Sequence, residues 1–365
     1  MEIVSPRFRL VSALLAAASL ASGFQLPDDA GRAENDLREG IALTSKSQFQ
    51  QAIPHFLAAR GHVTNTFALE FNLALCYVGT RRFPDAIDLL TRMSDGQRPA
   101  DVQNLLTQAY IGNHNPEAAM EAFDRAARLT PRNERLYLLV SQACLDEGLQ
   151  VVGLHVIDTG LHNLPDSGPL HFQAGLFHAQ QDDREAANRE FQLAKKLAPN
   201  TAVAYIADAE GALLAGDVQK VIGSAREGIG AGFSHYLLLT MLGEGLLRAG
   251  AAPDTAEFAE VQAALEKAVA LQPGYSSAHI ALGRVYASEG RGADAIAQME
   301  LARSLDPRNK AVYPPLAAAY RRSGQPEKAK EALAALARLN SEDAARIRDA
   351  DGSHAGYVSG KKQDR

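Results

Sequence analysis

From Ser276 to Asn309 the chain alternates apolar and polar residues at helical period, with His279, Leu282, Gly283 and Tyr286 on one stripe and Ala295, Met299 and Ala302 on a second. Two amphipathic helices meeting at a turn are predicted. Gly290 suits the left-handed conformation that ends the first, and Pro307, which lacks an N–H, stops the second. Small residues at Gly283, Ala295 and Ala302 let two helix backbones approach while Tyr286 and Met299 fill the space between them.

The same spacing recurs over most of the chain. Counting Ser276 as position one, position eight is small in each unit: Gly40, Ala74, Thr107, Ser141, Gly175, Ala209, Gly243, Gly283 and Ala317. Position fifteen supplies Gly148, Gly216, Gly250, Gly290 and Gly324, and prolines close the units at Pro99, Pro131, Pro165, Pro199, Pro273 and Pro307. The units so drawn are 33–66, 67–99, 100–133, 134–167, 168–201, 202–235, 236–275, 276–309 and 310–343. On Gly283, Tyr286, Ala295 and Pro307 the pattern resembles the tetratricopeptide repeat (TPR) family. That resemblance implies an all-α, right-handed superhelical solenoid of about nine antiparallel helix pairs, with first helices lining a concave groove that holds a protein or peptide partner.

Irregular units carry their own expectations. Glu39 on the apolar stripe of the first unit suits a terminal cap. Asp208 and the run GIGAGF from Gly228 weaken the sixth unit, where local flexibility or a shifted register is expected. The seventh is longer; Asp254 and Glu257 have the spacing of a capping box, which predicts extra turns at the start of its second helix. Pro314 and Pro315 require the first helix of the ninth to begin late.

Length now makes sense: 365 residues exceed one ordinary core, yet no linker divides them, and a solenoid needs none. A net charge of -6 argues against a nucleic-acid binder. Arg7 and Arg9, the apolar run Leu10 to Leu20 and small residues near Ala21 and Gly23 have the layout of a secretory signal peptide, residues 1–23, followed by a linker, 24–32. An exported protein is expected, periplasmic or extracellular, with no stable membrane span after cleavage; the alternative of an uncleaved N-terminal membrane anchor stays open. Residues 344–365 are expected to form a short cap and a polar tail. Cys76 and Cys144 fall two units apart, about 20 Å at helix-layer spacing, which predicts buried free thiols.

Searching for chemistry finds no HExxH, Walker A, GxSxG or CxxC signature. Neither catalytic residues, cofactor nor metal site are expected; His171 and His178, like His155 and His162, are spaced about 10.5 Å apart along a helix, too far to share an ion. Function then rests with the groove. Its candidate residues are Phe71, Asn72, Gln108, Leu138, Gln142, Phe172, Gln173, Ile206, Glu210, Met241, Glu244, Ile280, Arg284 and Arg321, with Leu139 beside them. This apolar, neutral centre suits an amphipathic helix or extended apolar segment, with Gln108, Gln142 and Gln173 able to bond a peptide backbone. A competing reading packs several of these residues between adjacent first helices. Carboxylate-clamping and asparagine-ladder modes need repeated Asn and basic residues, and at position six only Asn72 matches; Arg284, Arg321 and Arg322 make the last grooves basic. The leading expectation is a non-enzymatic protein-binding scaffold. Two rivals remain, an enzyme or enzyme subunit using Asp208, Glu210 and Glu244, and an assembly protein that self-associates.

Overall fold

A computed structural model describes residues 28–342 apart from 94, 95 and 97. The expected signal peptide and the tail after 342 lie outside the described residues. Among these residues every regular element is helical, and the fold is the all-α helix-pair solenoid. They form two compact units, 28–214 and 215–342.

The first unit comprises α1 (Asp28–Ser45), α2 (Phe49–Ala59), α3 (Thr66–Gly79), α4 (Phe83–Met93), α5 (Pro99–Gly112), α6 (Pro116–Leu129), α7 (Glu134–Glu147), α8 (Gln150–Asn163), α9 (Gly168–Gln180), α10 (Arg184–Leu197) and α11 (Ala202–Ala215), which ends at the boundary. The second comprises α12 (Val218–Gly230), α13 (Tyr236–Arg248), α14 (Ala256–Leu271), α15 (Ser276–Ser288), α16 (Gly292–Leu305), a 3-10 turn at Lys310–Val312, α17 (Tyr313–Arg322) and α18, residues 326–342. Residues 28–32, expected as linker, belong to α1.

Small residues at position eight do the packing expected of them. A Cβ on Gly175 would lie 2.5 Å from the Phe191 ring, and one on Gly243 would lie 2.7 Å from Leu265. Each glycine thus admits a large side chain from the second helix of its own pair. Position fifteen is the other constant. It is left-handed at Gly148, Gly216, Gly250, Gly290 and Gly324, and equally at Ser47, Arg81, His114 and Asp182, where the unit has no glycine. The turn geometry therefore outlasts the residue that best supports it.

Helix starts are capped from the side chains of Asn65, Asn115, Ser167, Asp183 and Asp217, each accepting a backbone N–H three residues on. In the lengthened unit the cap is Thr255, which accepts from Phe258 N at 3.2 Å. The expected Asp254 capping box does not form, because Asp254 sits at φ 75° in the loop before the helix. Most of the insertion is accordingly loop, residues 249–255. Ala209 is fully buried and Gly216 has its left-handed φ, so α11 keeps register despite Asp208. Pro314 and Pro315 open α17 as expected.

A ring at position four recurs as a joint between units. Tyr137 donates to the Pro131 carbonyl at 2.8 Å, and Tyr313 donates to that of Pro307. The Nε2 atoms of His171 and His279 lie 3.0 and 2.9 Å from the carbonyl oxygens of Pro165 and Pro273. The first helices α7, α9, α15 and α17 are so fastened to the proline that closes the preceding unit. Cys76 and Cys144 are buried and free; burial pushes both thiols up, Cys76 to about 11, while Thr44 Oγ1 at 3.2 Å from Cys76 Sγ opposes the shift.

Candidate functional site

Within each unit the first helices form one layer and the second helices another. In the first unit α1, α3, α5, α7 and α9 pack each on the next, whereas among the second helices only α6 and α8 approach comparably. In the second unit α13, α15 and α17 pack in succession while α14 and α16 do not. The closer-packed layer lies inside the curve, so first helices line the inner face of each unit.

Burial divides the fourteen groove residues. Phe71, Asn72, Gln108, Gln142, Gln173, Ile206 and Ile280 are buried and not presented on the surface. Leu138, Phe172, Glu210, Met241 and Glu244 are half-buried, and Arg284 and Arg321 are exposed. Leu139 is also half-buried. What the inner face offers in the first unit is an apolar step made by Leu138 and Leu139 of α7 and Phe172 of α9, whose ring also lies tilted against Phe191 with centroids 5.7 Å apart.

Beneath that step runs a relay of amides. Gln142 Nε2 donates to Asp146 Oδ1 at 2.9 Å, and Gln173 Nε2 donates to Gln142 Oε1 at 3.2 Å. Because the Asp146 carboxylate only accepts, it turns the Gln142 amide nitrogen toward itself, and the Gln142 oxygen in turn takes the Gln173 amide nitrogen. Gln173 Oε1 is buried and has no hydrogen-bond partner. A buried acceptor left unmade costs about 1–3 kcal/mol, which a donor from a bound segment would recover. Other inner-face polar groups are spent locally: Asn72 Nδ2 donates to the Ala68 carbonyl at 2.8 Å, and Gln108 Nε2 to Asn104 Oδ1 at 3.0 Å.

In the second unit the character changes. Glu244 of α13 is half-buried, and desolvation raises its carboxyl above the usual range against the pull of Arg248 and Arg284. Neither arginine makes an ion pair with it. Arg248, at the end of α13, is exposed like Arg284 and Arg321.

Histidines and carboxylates do not converge on a metal site. His171 is taken by Pro165 and by Glu190, at 2.6 Å from Nδ1; His279 by Pro273 and by Gln298, at 2.7 Å from Nδ1; His155 by Asp124 at 2.8 Å. Among the described residues no three metal-ligating side chains come together. Asp208, one of three carboxylates suggested for an enzyme, is buried in an ion pair with Lys195 at 3.0 Å. No described helix is long and apolar enough to cross a membrane.

Sequence reasoning missed the amide relay because its terminal acceptor is defined only once α7 and α9 are side by side. It missed Arg248 too, although Arg248 and Arg322 hold the same position, thirteen, in their units.

Comparison with known proteins bears on the fold. Residues 244–310 match the family model described as Tetratricopeptide repeat. The chain is similar in structure to the one titled an APC/C hetero-tetramer Cut9–Hcn1, at 13% identity and a TM-score of 0.52, over 86% of this chain and 75% of that one. It is also similar to a tetratricopeptide repeat protein from Parabacteroides merdae, at 13% identity and a TM-score of 0.49, over 68% of this chain and 96% of that one. No curated protein matches it in sequence.

Proposed function

We propose, for a chain that is a tetratricopeptide-repeat protein in its fold and in its match over 244–310, that it is a non-catalytic scaffold holding a segment of a protein partner on the inner face of its first unit. The segment lies across α7 and α9. Its apolar side chains cover Leu138, Leu139 and Phe172, and a backbone N–H reaches Gln173 Oε1. One observation carries the reading: half-exposed apolar residues stand directly beside a fixed, buried amide whose oxygen has no partner. Water-facing surface does not need such an arrangement, and an apolar segment with a free N–H completes it.

The ion pair of Asp208 with Lys195 removes one of the three carboxylates on which an enzymatic reading depends. Export is part of the proposal, resting on Arg7, Arg9 and the apolar run to Leu20; N-terminal sequencing of the mature protein tests it, a chain starting near residue 24 agreeing and an intact Met1 disagreeing.

Affinity capture from the exported fraction tests the binding face. A Leu138→Glu, Phe172→Glu variant with unchanged circular dichroism should retain at least about tenfold less of the partner, since two buried carboxylates would replace apolar contacts. Equal retention by variant and wild type would refute this site.

A further inference from the structure

The second unit separates its charges by layer. Its first helices α13, α15 and α17 carry Arg248, Arg284, Arg321 and Arg322 and a single carboxylate, Glu244. The second helices α12, α14, α16 and α18 carry nine carboxylates, Glu260 and Glu300 among them, against seven lysines and arginines. In a chain of net charge -6, the first helices of this unit are thus net positive and the second helices net negative.

Pairing separates the layers a second time. Outer-layer arginines are neutralised: Arg226 of α12 forks onto Glu260, and Arg303 pairs with Glu300. Among the described residues none of the four inner arginines has a hydrogen bond or ion pair, and all are exposed. The one inner carboxylate, Glu244, is half-buried, and desolvation raises its carboxyl above the usual range. Three of the four sit in the last turn of a helix, where the dipole tolerates a cation; Arg284 is in mid-helix and has no such reason to be there.

We propose that the inner face of the second unit is a docking surface for an acidic segment of a partner protein, with Arg284, Arg321 and Arg322 as its principal contacts and Arg248 at its edge. Charge complementarity selects the partner. A nucleic acid fits less well, because the half-buried residues between the arginines include Met241 and Ala287 and no exposed aromatic ring for a base to stack on; Tyr236, Tyr313 and Tyr320 are buried and Tyr286 is half-buried. Acidic side chains alternating with small or apolar ones match both the arginines and the surface between them. This surface is separate from the α7 and α9 step, and either can stand without the other.

Fluorescence anisotropy of a labelled ten-residue poly-glutamate peptide against the full chain provides the test. Binding is expected, weakening as salt is raised, and falling at least about tenfold in an Arg284→Glu, Arg321→Glu variant. A Lys267→Glu, Lys330→Glu variant makes the same change in net charge on exposed outer-layer lysines, and should bind within about threefold of wild type. Failure of the wild type to bind the peptide, equal losses in the two variants, or tighter binding of a ten-nucleotide oligothymidylate than of the peptide would each overturn the proposal.

Discussion

Position eight is small in every unit, and the structure explains why in a way that one substitution can check. At Gly175 a new Cβ would fall 2.5 Å and 2.6 Å from two carbons of the Phe191 ring, which is itself fully buried and confined by Phe172. Gly175→Ala therefore overpacks the α9–α10 pair, at about 1–3 kcal/mol, with the short distance favouring the upper half. Against that stands the helix-propensity gain of alanine over glycine, about 1 kcal/mol. The net is a loss of about 1–2 kcal/mol. Gly223 in α12 isolates the second contribution, because nothing lies within 4 Å of its added Cβ. There the identical substitution should stabilise by about 0.5–1 kcal/mol.

Native-state hydrogen exchange is the suitable assay, since a repeat array need not unfold as one unit and a single midpoint would blur two local effects. Amides of α9 and α10 should lose protection in Gly175→Ala, and those of α12 should gain it in Gly223→Ala. Adding Phe191→Leu to Gly175→Ala should return part of the loss, a coupling of about 1 kcal/mol or more. Equal responses at the two glycines would mean that position eight is small for reasons other than this contact.

Three further outcomes follow from other parts of the molecule. Ser47 holds φ 59° with no glycine to relieve it, so Ser47→Gly should stabilise the α1–α2 hairpin by roughly 0.5–1 kcal/mol, read as slower exchange there. Thr255→Ala removes the cap on Phe258 N and should cost about 1 kcal/mol, concentrated in the first turn of α14; Asp254→Ala should leave that turn unchanged. The native protein should show no reaction of Cys76 or Cys144 with a thiol reagent at pH 8, and both should react in denaturant. Cys76 also sets a pH trend: its thiol is pushed up to about 11 in the fold, whereas the unfolded chain ionises near about 8.5, so its contribution to stability falls as pH rises between those values, and Cys76→Ala removes that part of the slope.

Legibility followed the range of the forces involved. Helix periodicity, small residues facing a neighbouring helix and prolines at unit ends are local or nearly so, and Gly243, Gly283 and Pro307 announced their roles before any coordinates. Position fifteen was legible only where it held glycine; Ser47, Arg81, His114 and Asp182 adopt the same left-handed turn because the pairs on either side impose it. The Asp254 capping box failed for a comparable reason, since a one-residue shift to Thr255 satisfies the helix equally well and sequence spacing does not choose between them. Groove membership was the hardest to read. Facing inward on one helix does not decide whether a residue stays accessible, and Asn72, Gln108 and Ile206 are buried.

Site-specific photo-crosslinking in cells tests the central claim most directly. A photoreactive phenylalanine analogue at position 138 or 172 on the inner face, and at position 151 on α8, where Val151 is 77% exposed, samples both layers of the first unit, with the control position the more accessible. The account predicts one discrete crosslinked partner from positions 138 and 172 and none from 151. The same partner captured from 151 alone, or equally from all three positions, would contradict it.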